Sequence, residues 1–311
     1  MKEKIFNLVI IFISLFVLME LLFKKKIIYS SILYALNLWV NVLIPSLFPF
    51  FIISDILINY KIIEYIPKNI RYLCKKLFNI NDNMLSILLL SMISGFPSNA
   101  RNTRTLYDNG SIDLNQANHI LIFTHFANPI FILTTIGAFF LHSEKLGIII
   151  LISHYSSNII LGIFFGRFFN NNDNIIGLTT KKNSFGNIFI MAIKRGIDTI
   201  LMICGIVVVF LMLSTIIVDT FNFNNYFAMI IKGLFEITIG VEALGNCSIS
   251  LCYKAVIASC FLAFGGISVH VQVMSQLVDT DIKYIYFFIG RMYQMILSGI
   301  ITFIICFFCE I

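Results

Sequence analysis

Two short runs place glycine, serine, amide and ionisable residues inside otherwise apolar stretches. The first is Gly95-Phe96-Pro97-Ser98-Asn99-Ala100-Arg101, within LSILLLSMISGFPSNAR at 85–101. Pro97 has no backbone N–H to give, and Gly95 tolerates backbone angles closed to other residues. A helix through 85–94 is therefore expected to end near Ser94, and a second to start with Ser98 or Asn99 near its cap. Free N–H groups and the positive end of a helix dipole suit a carboxylate or phosphate there. Arg101 and Arg104 follow within about one turn. Their guanidinium forks match carboxylates in two-point contacts. The alternative for both is an ordinary positive charge at a membrane surface.

The second run is Gly265-Gly266-Ile267-Ser268-Val269-His270-Val271-Gln272, within AVIASCFLAFGGISVHVQ. Ser268, His270 and Gln272 alternate, which aligns them on one side of an extended segment and spreads them around a helix. His270 either carries a proton in a coupled transporter or is a neutral, hydrogen-bonded core residue. Helices that break inside hydrocarbon survive only where protein buries the freed backbone or where it lines a polar cavity. Paired broken segments in two halves of a chain point to a transporter's substrate site.

Other polar residues in apolar surroundings are Asp55, His125, Asn128, His154, Asn158, Asp198, Glu236 and Arg291. Asn128-Pro129 reads as a helix start. His154 and Asn158 lie four apart on one helical face, where they line a cavity or hydrogen-bond between helices. Glu236, in GLFEITIGVEALG, is placed to coordinate a cation or to pair with an arginine. The candidate substrate contacts are thus Gly95, Pro97, Ser98, Asn99, Arg101, Asn128, Glu236, Gly265, Gly266, Ser268, His270 and Gln272, with His154 and Asn158 as candidate cavity lining.

The elements that must position these residues follow from composition. Of 311 residues, 59% are hydrophobic and 12% charged, the balance of an all-α polytopic membrane protein. The net charge of +6 lies in short loops, which suits a cytoplasmic membrane face and gives no reason to invoke nucleic acid. Segment 61–76 and the polar loop 170–182 are the expected cytoplasmic stretches. The seven cysteines, CFFC at Cys306 and Cys309 included, lack the His and Cys neighbours that metal ligation needs, so buried thiols are expected and no cofactor. There is no Walker loop, HExxH, GxSxG or dense carboxylate cluster, so an enzyme is not expected. Transport by this chain alone would use an ion gradient, of protons or sodium, or run downhill.

Spanning helices are expected at 5–23, 131–140 with its flanks, 146–169, 197–218 and 284–308. The first has no small-residue cleavage site and precedes Lys24-Lys25-Lys26, so it is read as a retained helix. Segment 31–58, with Pro45 and Pro49, and segment 226–244, with Lys232, Glu236 and Glu242, are expected to be re-entrant, interfacial or broken. A faint internal repeat lays 35–50 on 192–207 and pairs Gly95 and Ser98 with Gly265 and Ser268. The expected organisation is an N-terminal transmembrane helix at 1–30, a first gate-like repeat at 31–169, a polar loop at 170–187 and a second repeat, inverted, at 188–311.

Five motifs, LWVNVLIPSLFPFFIISDIL, SGFPSNARNTRTLYDNGSID, ISHYSSNIILGIFFGRF, LFEITIG and FGGISVHVQVMSQL, resemble in order and spacing the YlbJ or SpoVV family of sporulation integral membrane proteins. These carry the nucleoside-recognition "gate" domain, and the resemblance runs from residue 35 to the C-terminus. It implies movement of dipicolinic acid from the mother cell across the outer forespore membrane, and a more distant kinship with concentrative nucleoside transporters. Dipicolinate is a flat pyridine with two carboxylates, which two arginines and a helix N-terminus would suit. The expected function is therefore transport of a small organic anion, with lipid as the surrounding partner and a homo-oligomer left open. The alternatives are a gate-domain nucleoside transporter and a non-transporting spore-envelope assembly protein.

Overall fold

The amphipathic and apolar runs fold into helices, and among the described residues every regular element is helical. The computed structural model describes residues 2–169 and 184–311. The helices are α1 (Lys2–Phe23), α2 (Lys25–Leu38), α3 (Ile44–Asn59), α4 (Lys68–Phe78), α5 (Asp82–Ser94), α6 (Ser98–Asp108), α7 (Leu114–Phe123), α8 (Glu144–Phe165), α9 (Phe185–Phe221), α10 (Asn225–Phe235), α11 (Ile237–Gly245), α12 (Leu251–Phe264), α13 (Gly266–Leu277) and α14 (Tyr284–Phe308). Wider π-helical turns occupy Trp39–Leu43 and Phe131–Phe140. Six stretches are long and apolar enough to cross a membrane, namely Lys4–Phe23, Lys25–Asn59, Glu144–Phe165, Phe185–Phe221, Leu251–Leu277 and Tyr284–Phe308. A seventh is added if α4 and α5, bent by 93° at their junction, form one broken span.

Several expectations are corrected. The region 31–58 is not too interrupted to cross: it belongs to the 35-residue stretch Lys25–Asn59. The π turn ends just before Pro45, which then falls at the opening of α3, where a missing N–H is least disruptive. Ser46 donates its hydroxyl to the carbonyl of Val42 at 2.6 Å, satisfying one acceptor that the irregularity frees. Phe131–Phe140 is a short apolar helix, not a full span. The span expected at 197–218 is the middle of the 37-residue α9, because Arg195 and Asp198 sit on the helix without ending it. The expected polar loop at 170–187 falls mostly on 170–183, outside the described residues. Its last residues lie on α9, whose N-terminus Ser184 caps by accepting from Asn187 N–H.

The stretch 226–244 is broken, as its charges suggest. Helices α10 and α11 fold onto each other, and the approach is set by two glycines: a Cβ on Gly240 would lie 2.1 Å from the Cα of Gly233. Helix α14 packs most extensively on α12 and also on α8, while α9 lies against α1, α2, α3, α10 and α13. Lys24, between α1 and α2, pairs with Glu20 of α1 at 2.8 Å and reaches the far end of α9 through Asp219 at 2.9 Å and Thr220 at 2.7 Å. The hydrogen bonds that Lys24 donates to Glu20 first and then to Asp219 hold its ammonium above its ordinary pKa.

Candidate functional site

The helix through α5 stops at Ser94 and resumes at Ser98, as the sequence implies. Gly95 adopts φ +75° and lies so close to residue 128 that a Cβ would be 2.7 Å from the Asn128 nitrogen. Asn128 in turn donates its amide to the Ile93 carbonyl at 3.0 Å and accepts from Ile130 N–H at 2.8 Å, starting the helix after Pro129. The first break is thereby clamped to a second one, residues 124–128, where α7 has ended and no helix has begun.

Freed backbone at 124–128 is satisfied by side chains from α8 and α14, which meets the demand a membrane interior makes. His154 Nε2 accepts from Ala127 N–H at 3.0 Å, and Asn158 donates to the His125 carbonyl at 2.9 Å. Tyr155 donates to the carbonyls of Met92 and Ala127. Arg291, fully buried, donates to the carbonyls of Ile122 at 2.9 Å, His125 at 3.3 Å and Ala263 at 3.5 Å, and also to Asn158 and Gln294. It thus serves the C-terminal carbonyls of both α7 and α12, the negative ends of two helix dipoles.

The remaining two breaks meet the first two. Glu236 separates α10 from α11 and caps α11, its carboxylate accepting from the N–H groups of Thr238 at 2.8 Å and Ile239 at 3.3 Å and from the Thr238 hydroxyl. Gly265 and Gly266, at φ +96° and +62°, separate α12 from α13. A Cβ on Gly266 would sit 3.4 Å from Glu236, and one on Gly265 would sit 3.6 Å from His125 Nε2. His125 stacks on Phe96 of the first break with ring centroids 4.7 Å apart, and Phe287 meets it edge-on at 5.0 Å. Four interruptions are therefore linked in a chain: 95 to 128, 96 to 125, 125 to 265 and 266 to 236.

The sequence-derived candidates fall into distinct settings. Ser98 does not face outward: its hydroxyl bonds Ser94 and the Gly95 carbonyl, and Pro97 occupies the cap position without a side-chain cap bond. Residues 266–277 are helical, so Ser268, His270 and Gln272, all buried, are not aligned as an extended segment would align them. His270 Nε2 faces the Phe264 carbonyl at 3.0 Å and Nδ1 faces the Tyr284 hydroxyl at 2.6 Å. A carbonyl only accepts, so Nε2 carries a proton, while the Tyr284 hydroxyl can either donate to Nδ1 or accept from it.

Asn99, Asn102, His125 and Ser268 are wholly buried, and the polar side-chain atoms of all four lack a hydrogen-bond partner. They sit on α6, on the 124–128 break and on α13, which packs against α6. Buried groups of this kind cost about 1–3 kcal/mol each unless something binds them. Of these, Asn102 is an addition to the residues singled out from the sequence, and His125 was there only among the polar residues in apolar surroundings. Asn102 was legible as the residue one turn after Asn99 on the same helical face.

Arg101 is 5% exposed and lies against Asp55, itself 3% exposed, with Nη2 to Oδ1 at 3.2 Å. It also donates to the Phe51 carbonyl at 3.1 Å and the Thr199 hydroxyl at 3.3 Å, with its guanidinium over the Phe51 ring. Arg195 of α9 approaches the other Asp55 oxygen at 3.7 Å. Arg104 bonds Asp108 and the carbonyls of Gln276 and Val278 at the end of α13. Arg101, Arg104 and Arg195 line a cavity of about 520 Å³ at the ends of α3, α6 and α13. Among the described residues no trio of His, Cys, Asp or Glu is placed to hold a metal.

Clamped helix interruptions inside an apolar helical body are those of a multi-pass integral membrane protein. Residues 40–170 match the Gate family, described as nucleoside recognition. The chain is a distant homologue of the sporulation integral membrane protein YlbJ of Bacillus subtilis (strain 168), 28% identical over 303 residues, covering 86% of this chain and 74% of that protein. The resemblance read from the motifs is thereby borne out. No solved structure matches the chain.

Proposed function

We propose that this protein transports a small organic anion, dipicolinate, across the outer forespore membrane. The observation that carries the reading is the linkage of four helix interruptions, with buried, unpartnered polar side chains on them or on the helices that leave them, Asn99, Asn102, His125 and Ser268. Such groups are expensive in a membrane interior and mark a path or binding place for a polar solute. Kinship with a sporulation protein supports the cellular setting, and the arginines around the adjoining cavity support an anion.

The proposed architecture is two gate-like repeats, and element order supports it. A long helical stretch (Lys25–Asn59, Phe185–Phe221) is followed by a packed pair (α5 with α6, α10 with α11). An interrupted segment comes next (α7 to Phe131–Phe140, α12 to α13), then a closing helix (α8, α14). In this register Gly95 stands opposite Glu236, and 124–128 opposite Gly265, rather than Gly95 opposite Gly265.

Uptake of labelled dipicolinate by the purified protein in liposomes tests the function. Uptake above empty liposomes, competed by unlabelled dipicolinate and not by nucleosides, is the expected result. The match of 40–170 to a nucleoside-recognition family favours one rival, a nucleoside transporter. Nucleoside uptake without dipicolinate uptake would establish that rival.

A further inference from the structure

We propose that the cavity at the ends of α3, α6 and α13 is a carboxylate-binding site, and that Asp55 is its tethered competitor, holding Arg101 until a substrate carboxylate displaces it. The proposal rests on the anion-transport reading above and names the place where the anion is first received.

The cavity, of about 520 Å³, is lined by Arg101, Arg104, Arg195, Asp198 and Thr199 among others, and falls within the usual size range for small-molecule sites. Its deepest cation, Arg101, is held imperfectly. An arginine and a carboxylate prefer two parallel N–H···O bonds. Arg101 and Asp55 make one, and both Arg101 Nε and Asp55 Oδ2 lack a hydrogen-bond partner although buried. Arg195 Nη1, at 3.7 Å from Oδ2, is too far to supply the missing bond. Asp55 is carried by α3 and meets Arg101 through one oxygen alone. A free carboxylate entering from the cavity has no such tether.

Charge decides what must move. The acids around the three arginines are Asp55, Asp108 and Asp198, so the cavity and its walls are balanced without a ligand. An added carboxylate is favoured only when Asp55 leaves the arginines. Binding therefore breaks the ion pairs by which Asp55 of α3 touches Arg101 of α6 and Arg195 of α9.

The test measures binding of radiolabelled dipicolinate to the purified full-length protein in nanodiscs. Asp55→Asn removes the competitor, so affinity should rise roughly tenfold. Arg101→Gln should weaken binding, and Asp55→Asn combined with Arg101→Gln should bind no better than Arg101→Gln. Unchanged or weaker binding by folded Asp55→Asn overturns the proposal. If that variant fails to fold alone, excess dipicolinate during purification should recover it and the neutral diamide should not. Absence of recovery overturns it too. Inorganic phosphate competing as well as dipicolinate would refute a carboxylate site. Wild-type protein that transports dipicolinate while Asp55→Asn gains no affinity sinks this site and leaves the transport reading standing. Wild-type protein that neither binds nor transports it sinks both.

Discussion

Asn99 and Asn102 stand one turn apart on α6, and neither amide has a hydrogen-bond partner. Replacing an unsatisfied buried amide with an apolar side chain of similar volume removes a desolvation penalty. Asn99→Leu and Asn102→Leu are therefore expected to keep or raise the melting temperature while abolishing uptake, a split that thermal unfolding and liposome transport would reveal. A fall in stability with transport intact would show that the amides serve packing. Arg101→Gln has a different signature. It leaves Asp55 buried with only Arg195 nearby, and loss of one partner from a buried pair costs about 3–5 kcal/mol. Substrate affinity should fall roughly tenfold to a hundredfold, and Arg101→Lys should restore part of it, since an ammonium lacks the planar fork. Both quantities are read on folded protein, by thermal unfolding and ligand titration.

At the scale of elements, backbone approach at the breaks is the exacting requirement. Gly95→Ala would push a methyl to 2.7 Å from Asn128 N, and Gly240→Ala to 2.1 Å from Gly233 Cα. Each is expected to lower stability by about 1–3 kcal/mol through overpacking, with added backbone strain at Gly95. Gly205→Ala, with nothing within 4 Å, should be neutral or stabilising, and a shared panel of melting temperatures checks all three.

The same elements show what the sequence discloses and what it hides. Local chemistry announces the end of α5, the start of α6 and the Asn128 cap, because Gly, Pro and Asn act on their own neighbours. Proline in 31–58 misleads, since Pro45 falls at the opening of α3 just after the π turn at Trp39–Leu43 and Pro49 sits inside α3 without ending it. Glu236 reads as a charge seeking a partner, yet its partners are the N–H groups of Thr238 and Ile239, two and three residues on. Arg101 and Asp55 lie 46 positions apart, so no periodicity could join them.

For the whole molecule, the expected physiology is selective. Cells lacking the protein should grow normally and form spores poor in dipicolinate, while mother-cell dipicolinate stays normal or rises. Comparing the two compartments checks this, and loss of synthesis would refute it. Ser98 and Ser268 are both fully buried here, so cysteines at these positions should resist hydrophilic thiol reagents in this conformation. Labelling that appears only during turnover, and slows with substrate, would report the opening of the breaks that transport requires.

Helix α9, at 37 residues, is about 55 Å long, against a hydrocarbon thickness of about 30 Å. Standing upright it would lift Phe185, Phe189, Ile190 and Met191, all exposed on the protein, clear of the lipid. Keeping them in contact with acyl chains or the interface makes the helix lean steeply across the bilayer. A leaning strut that touches α2 and α3 on one side and α10 and α13 on the other converts membrane thickness into an angle. Thin bilayers would flatten the strut and thick ones would raise it. Uptake rates in vesicles of graded acyl-chain length should accordingly pass through an optimum, making this protein's output depend on the lipid that surrounds it.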